Sequence, residues 1–511
     1  MIKSLPNFYK LLSENEIEML HENVLKLLEN HGMKIENRAL LEALKKKGAS
    51  VDFTGEIAKI PKKLTEEVIE MARRDEKERV AAKTGDSDSE LGYPNELTFS
   101  WHTPFRNRTP KIAASFGGGA PLYYDHKLKI NRYATRDDFL RLINLAEGIP
   151  EVITVGNAVH YIRENDGSDV APKMVAVKGA GLVAKYSSKP GCTTIIDKRQ
   201  LPHLMEMGRI VKGSAQEYIK NPILINIHDT ESPLRVTRPE AAIIEAMAKN
   251  NLSIFILPMP LVGISTPIYP IAAAIVGAAE ILGVWAATKA FNDKCPIEAR
   301  CVSGVLNPII GTASFATPEA VLIDLAVAQL FREKYGVPCG TGVGLIDAPI
   351  PGALSIFERT FKAFASALAG EPSFPVGIIG GAVVFSMEQV ILDLDIAAYQ
   401  HNYIKGIGGN HFAESLELIR EKGISGLFIN TDHTAKNFRN YLTFTNAIKS
   451  IKNTNVDNAL KNDPVEFAHK KCLDILSSTE SYQIDEERAK AIDKVMEEAS
   501  KELSSVKGAI E

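Results

Sequence analysis

The stretch PILINIHDTESPLRVTRPEAAIIEAMAKNNLSIFILPMP, Pro222–Pro260, carries the pattern that decides the fold. Pro222–Asp229 is a short apolar run closed by the polar pair His228-Asp229. Pro239–Lys249 then has helical spacing, and Ser253–Pro260 is a second apolar run. Strands that are apolar on both faces belong to a parallel sheet covered on both sides. Strand, helix and next strand therefore read as one βα unit.

Outward from this unit the same rhythm repeats. Apolar runs fall at Val152–Val159, Cys192–Asp197, Pro296–Ser303, Val337–Gly344 and Phe374–Gly380. Helix candidates between the runs are Met174–Lys185, Leu201–Val211, Pro270–Ala290, Pro318–Tyr335, Ala353–Ala369 and Ser386–His401. The repeat of about 30–45 residues is that of a βα unit with insertions. Seven units are clear, and an eighth is expected near Tyr403–Gly408 or Gly423–Ile429. That number favours an α/β fold of the (β/α)8 TIM barrel type over an open doubly wound sheet. No GxGxxG follows the first strand, and FGGGAPL (Phe116–Leu122) lies outside a βαβ context, which weakens a dinucleotide-binding reading.

Before the barrel, residues 13 to about 90 read as helices. Ser13 and Glu16 have capping-box spacing, and Ile17, Leu20, Val24, Leu27 and Leu28 follow at helical intervals. After about residue 430 the pattern is helical and charged, as in Asp485–Leu503. The expected organisation is an N-terminal helical region over 1–95, a barrel domain with an aromatic lead-in over 96–430, and a C-terminal helical cap over 431–511. Those charged helices leave a homo-oligomer open.

The 511 residues are 45% hydrophobic and 24% charged, with a formal net charge of −4. A chain of this length can bury a large core without staples. Near-neutral charge argues against nucleic-acid binding, which leaves a basic footprint. Cys192, Cys295, Cys301, Cys339 and Cys472 form no CxxC pair, which suits a reducing compartment and offers no metal-ligand spacing. No metal is expected. The first twenty residues have no apolar h-region, and Ile268–Thr288 carries Pro270, Glu280 and glycines, as a buried helix would. A cytoplasmic protein without a membrane partner is expected.

In a barrel the chemistry sits at the C-terminal ends of the strands. Those ends give His160, His228 with Asp229, Met259 with Pro260, Arg300, Gly342–Asp347 and Gly380-Gly381. His228-Asp229 is either a polar pair within reach of substrate or a structural His beside a capping Asp. Alternation points Glu298 and Arg300 to one side, as a buried pair or as a clamp for a carboxylate. The glycines of CGTGVGLID (Cys339–Asp347) and Gly377, Gly380 and Gly381 let a ligand approach backbone or ease tight bends. Trp101, Phe105, Phe116, Tyr123 and Tyr124 gather aromatic rings in one segment, as core or as a cage for a quaternary ammonium. No HExxH, nucleophile elbow or P-loop is present.

Several blocks in one order resemble the trimethylamine methyltransferase family. They are LHENVLKLLENHGMKIENRALLEALKKKGASVD (Leu20–Asp52), IPKKLTEEVIEMA (Ile60–Ala72), FGGGAPLYYDHKLKINRYATRDDFLRLINLAEGIPEV (Phe116–Val152) and SPLRVTRPEAAIIEAMAKNNLSIFILPMPLVGISTP (Ser232–Pro267). GTASFATPEAVLIDLAVAQLFREKYGVPC (Gly311–Cys339), GLIDAPIPGALSIFERTFKAFASALAG (Gly344–Gly370), SMEQVILDLDIAAYQ (Ser386–Gln400) and DHTAKNFRN (Asp432–Asn440) complete the series. The resemblance implies a barrel enzyme that moves a methyl group from an amine to the Co(I) corrinoid (cobalamin) of a cognate partner protein, with no cofactor held tightly by this chain. Founding members carry pyrrolysine; this sequence has only the twenty standard residues and is similar to the branch associated with glycine betaine and related quaternary amines. The lost pyrrolysine position is expected near Gly342–Leu345.

On that reading Asp347, His228 and Asp229 are the expected catalytic residues, and Arg300, His160, Phe116, Tyr123 and Met259 the substrate-binding ones. Gly342, Gly344, Leu345, Gly380 and Gly381 are expected to face the corrinoid. A quaternary ammonium leaves as a neutral amine, so the task is positioning and exclusion of water. GIIGGAVVFSMEQ (Gly377–Gln389) and INTDHT (Ile429–Thr434) depart from the family pattern beside the mouth, which leaves the particular amine open. A barrel enzyme of different chemistry, or a non-catalytic binding protein on the same scaffold, remains as an alternative.

Overall fold

The computed structural model describes residues 9–83, 114–191 except 118, 193–224 except 221, 227–369, 375–405, 411–448 and 462–504. Trp101, Phe105 and Cys192 lie outside the described residues.

Ala114–Phe116 pairs in parallel with Val152–Val155, and Ile227–Asp229, Ile254–Leu257 and Ile297–Ala299 form a second parallel sheet. Single parallel bridges continue the order: Ser115 to Pro375, Val155 to Pro190, and Arg300 to Gly340. The Leu224 amide donates to the Gly191 carbonyl at 3.0 Å. Among the described residues no ladder joins the segments of Gly340 and Pro375, although a Cβ on Gly344 would lie 2.6 Å from Pro375 Cγ. The fold is therefore mixed α/β, and among the described residues no closed sheet is formed.

Charged side chains replace the missing ladder bonds, because buried backbone groups must find partners. Helix Pro318–Gln329 sends Asp324 to the amides of Ser303 and Gly342, at 2.7 and 3.0 Å. Arg359, fully buried on helix Ala353–Leu368, donates to the carbonyls of Val343 and Ile378 and pairs with Asp393 at 3.0 Å. Asp393 in turn accepts from the Gly377 amide at 2.8 Å.

Three differences from the sequence reading have physical causes. The additional parallel strand is Ala114–Phe116, upstream of Val152; of the positions expected for an eighth strand, Tyr403–Lys405 is the end of helix Met387–Lys405 and Gly423–Ile429 carries turns and no strand. Three residues are too few to show a strand period. The N-terminal region holds helices Glu14–Asn30, Arg38–Lys46 and Lys62–Lys83, but also strands Met33–Ile35, Ser50–Asp52 and Ile57–Lys59. That small sheet pairs in parallel with Arg235–Val236, so it is stitched to the βα loop after Asp229. Finally, Ile378–Ile379 turns back as a hairpin on Val384–Phe385.

Helix Pro270–Phe291 is long and apolar enough to cross a membrane, but most of its apolar stretch is buried. Its Glu280, fully buried, accepts from the Leu234 amide at 2.8 Å and from Ser232 Oγ at 2.9 Å. One core cluster runs from Ile17 to Leu503.

Candidate active site

Strand register fixes which side chains share a face. His228, Ile256 and Ala299 lie in one row across three strands; Asp229 lies beside Leu257, and Arg300 beside Gly340. The first row points at the covering helices and is buried. His228 Nδ1 meets Glu240 Oε1 at 2.5 Å, and its Nε2 meets Met247 Sδ at 3.1 Å, both on helix Arg238–Lys249. His228 is thereby removed from the expected catalytic group: the period of two turns it outward wherever Asp229 turns inward.

Asp229, Leu257, Met259 and Arg300 occupy the opposite face. Cys301 faces helix Pro270–Phe291, where a Cβ on Gly277 would meet its Sγ at 2.9 Å, so Arg300 projects the other way. Its guanidinium lies 5.7 Å from the Phe255 ring centroid. Gly340 makes the room, since a Cβ there would sit 2.9 Å from Arg300 Nε. Glu298 accepts from Ser253 Oγ at 2.8 Å. Leu257 and Met259 are half-buried walls on this face.

Asp229 is exposed to solvent, although protein crowds around its carboxyl. Desolvation, reinforced by Glu240, pushes its carboxyl up to about 6. His160 is half-buried against Gly119, and its Nδ1 is buried without a hydrogen-bond partner. Burial lowers its pKa below the usual imidazole value.

Other expected residues have structural duties. Phe116 is 1% exposed and packs on Phe385, with ring centroids 5.2 Å apart, so it is core and not a cage wall. Tyr123 is buried and already has the Arg132 guanidinium 5.2 Å from its ring. Asp347 accepts from the amides of Phe315 and Ala316, at 2.8 and 3.2 Å, and so anchors the loop that carries them. A Cβ on Gly342 would meet Asp324 Oδ2 at 2.7 Å, and one on Gly344 would meet Pro375, so both glycines serve close packing in the interior. Gly380 and Gly381, with φ of 61° and 65°, form the turn of the hairpin ending at Val384–Phe385. Leu345 remains half-buried at the strand tip.

The sequence reading missed Lys362 and Glu358. Lys362 is fully buried and donates to the carbonyls of Phe315 and Leu345, at 2.6 and 2.8 Å; burial pushes its pKa down to about 8. Glu358 accepts from the amides of Asp347 and Ala348, each at 2.9 Å. With Ser355, Arg359 and Ser366 these residues make a polar stripe at helical spacing on an otherwise apolar helix. That stripe was the available signal.

The α/β scaffold thus turns an acidic and a basic side chain, Asp229 and Arg300, to the same face, an arrangement able to hold a small molecule carrying both charges. The chain belongs to the trimethylamine methyltransferase family, whose model matches residues 1–504. It is 24% identical over 506 residues to trimethylamine methyltransferase MttB of Desulfitobacterium hafniense (strain DSM 10664 / DCB-2), covering 98% of this chain and 95% of the relative. It is 23% identical to glycine betaine methyltransferase of Desulfitobacterium hafniense (strain Y51), covering 87% and 88% respectively. The crystal structure of Methanosarcina barkeri monomethylamine methyltransferase superposes with a TM-score of 0.44 at 12% identity, covering 92% of this chain and 90% of that one. The activity class is thus that of a methyltransferase, in a family that works with corrinoid partner proteins.

Proposed function

We propose that this chain transfers a methyl group from a carboxylate-bearing quaternary amine, of the glycine betaine kind, to the corrinoid of a partner protein. The observation that carries the reading is the placement of Asp229 and Arg300 on one face, two strands apart. At 4.7–4.9 Å per strand their backbones stand roughly 9–10 Å apart, close enough for their side chains to hold the two ends of a small zwitterion. Arg300 would bind the carboxylate by parallel hydrogen bonds, and Asp229 would face the ammonium. Leu257 and Met259 would line the methyl groups and keep water out. His160, neutral at pH 7, would pair its buried Nδ1 with substrate or an ordered water.

The amine leaves neutral and unprotonated, so the site needs no general acid. An Asp229 grip that is too tight would stabilise the charged substrate above the transition state, in which that charge is fading. A carboxyl with a raised pKa that solvent still reaches suits a loose grip.

A corrinoid carried by a partner protein would supply the cobalt nucleophile. The face it would approach fits such a partner: Ile264, Tyr269, Ile309 and Ile310 are exposed on loops, and Leu354 and Phe357 on the first two turns of helix Ala353–Leu368. An apolar rim of this kind marks a protein-binding surface. Leu345, at the strand tip, would lie under the corrinoid. In this reading the eight strand positions constitute a (β/α)8 barrel between an N-terminal region ending near residue 95 and a C-terminal cap beginning near 431.

The test supplies the corrinoid protein in the Co(I) state with a panel of amines and follows loss of the Co(I) absorbance. Loss with a betaine, and not with choline or trimethylamine, is expected. Turnover of trimethylamine alone would overturn the proposal.

A further inference from the structure

A second cluster of chemically capable side chains lies outside the proposed active site. His126 follows strand Leu122–Asp125, Glu388 opens helix Met387–Lys405, and His469 and Glu466 lie one turn apart on helix Pro464–Ser478. Ligand atoms of His126, Glu388 and His469 all fall within 4.8 Å of one another. His469 Nδ1 is 2.9 Å and His126 Nδ1 3.9 Å from the same oxygen, Glu388 Oε1. The imidazoles are stacked, with centroids 3.9 Å apart and planes 11° from parallel. Glu466 Oε2 approaches His126 Nε2 at 3.3 Å.

Glu388 is fully buried, and among the described residues its ionic partners are these two imidazoles. A buried carboxylate requires compensating charge. Its other oxygen accepts from Ser386 Oγ at 2.7 Å, which fixes the carboxylate with Oε1 toward both rings. Such an outer hydrogen bond commonly orients a metal-binding carboxylate. The His469 side chain is 26% exposed, so an ion has a way in.

We propose that His126, His469 and Glu388 bind one first-row divalent transition ion, with Glu466 or water completing the shell. Two imidazoles and a carboxylate are a borderline-soft set suited to Zn²⁺, Co²⁺ or Fe²⁺ rather than Mg²⁺ or Ca²⁺. Binding would require the two stacked rings to turn apart, by tens of degrees about their side-chain bonds, so that both Nδ1 atoms reach about 2.0–2.1 Å from the ion. The site would clip helix Pro464–Ser478 to the end of strand Leu122–Asp125 and to the start of helix Met387–Lys405. Lys129 competes for it, with Nζ 3.0 Å from Glu466 Oε1 and 3.1 Å from His126 Nε2. The three ligands are remote in sequence, so no ligand spacing announces them.

The full chain, stripped with chelator, is titrated with Co²⁺ and separately with Zn²⁺. One equivalent of Co²⁺ with a d–d spectrum of mixed nitrogen and oxygen ligation is expected, together with a Zn²⁺-dependent rise in Tm. His126→Gln and His469→Gln should each abolish the spectrum, and Lys129→Met should tighten binding several-fold. Absence of a stoichiometric Co²⁺ spectrum in the wild-type chain would overturn the site without recourse to variants. So would retention of that spectrum in either histidine variant.

Discussion

Arg300 and Asp229 each depend on a neighbour that the strand period supplies. Gly340 leaves Arg300 its space, and His228, one residue before Asp229, takes the outward position against Glu240. If Arg300 clamps a substrate carboxylate, Arg300→Ala should raise KM for a betaine by about 10–150-fold, the worth of charge-assisted hydrogen bonds at 1.5–3 kcal/mol. KM for an amine lacking the carboxylate should not change, and steady-state kinetics on both substrates checks this. Asp229 is raised from 3.8 to about 6, so the fold holds its proton more tightly than the unfolded chain does. The stability it contributes is full below the unfolded value and is lost as pH rises from about 4 to 6. Binding of a cation should instead strengthen over the upper part of that range as the carboxyl ionises. A KM that falls between pH 5 and 7, and is flat in Asp229→Asn, is the expected profile.

The polar stripe of helix Ala353–Leu368 shows why segments without regular ladders are nonetheless fixed. Arg359 replaces strand partners with its own donors, and Asp393 balances its charge. Arg359→Leu would leave Asp393 buried without its counter-charge, a loss of about 3–5 kcal/mol. Denaturant unfolding followed by circular dichroism should show it. Helix positions were legible in the sequence: the expected Leu201–Val211 is Leu201–Lys212, and Pro239–Lys249 is Arg238–Lys249. The strand at Ala114–Phe116 was not, because its pairing with Val152–Val155 and Pro375 is non-local and three residues carry no period.

Across the whole molecule, the exposed apolar residues on loops and on helix Ala353–Leu368 are the surface on which the proposed docking can be tested. Replacing Phe357, 69% exposed, and Ile309, 92% exposed, with Glu should weaken binding to a corrinoid protein while leaving Tm unchanged. Titration calorimetry with the corrinoid protein and a thermal scan of the double variant test both halves. Equal affinity would place the docking face elsewhere.

The sequence by itself determined the α/β class, most helix bounds and the tips where polar residues gather, since periodicity and apolar runs are local properties. It also put Asp229 and Arg300 among the candidates, because strand ends are read from local sequence, but it did not separate Asp229 from His228. Tertiary structure alone decided that His228 and Phe116 are core, that Asp347 anchors a loop, and that Gly342 serves a buried aspartate. It alone brought His126, Glu388 and His469 together. Those outcomes depend on which distant helix covers each face, and packing between elements far apart in the chain leaves no periodic trace in the residues themselves.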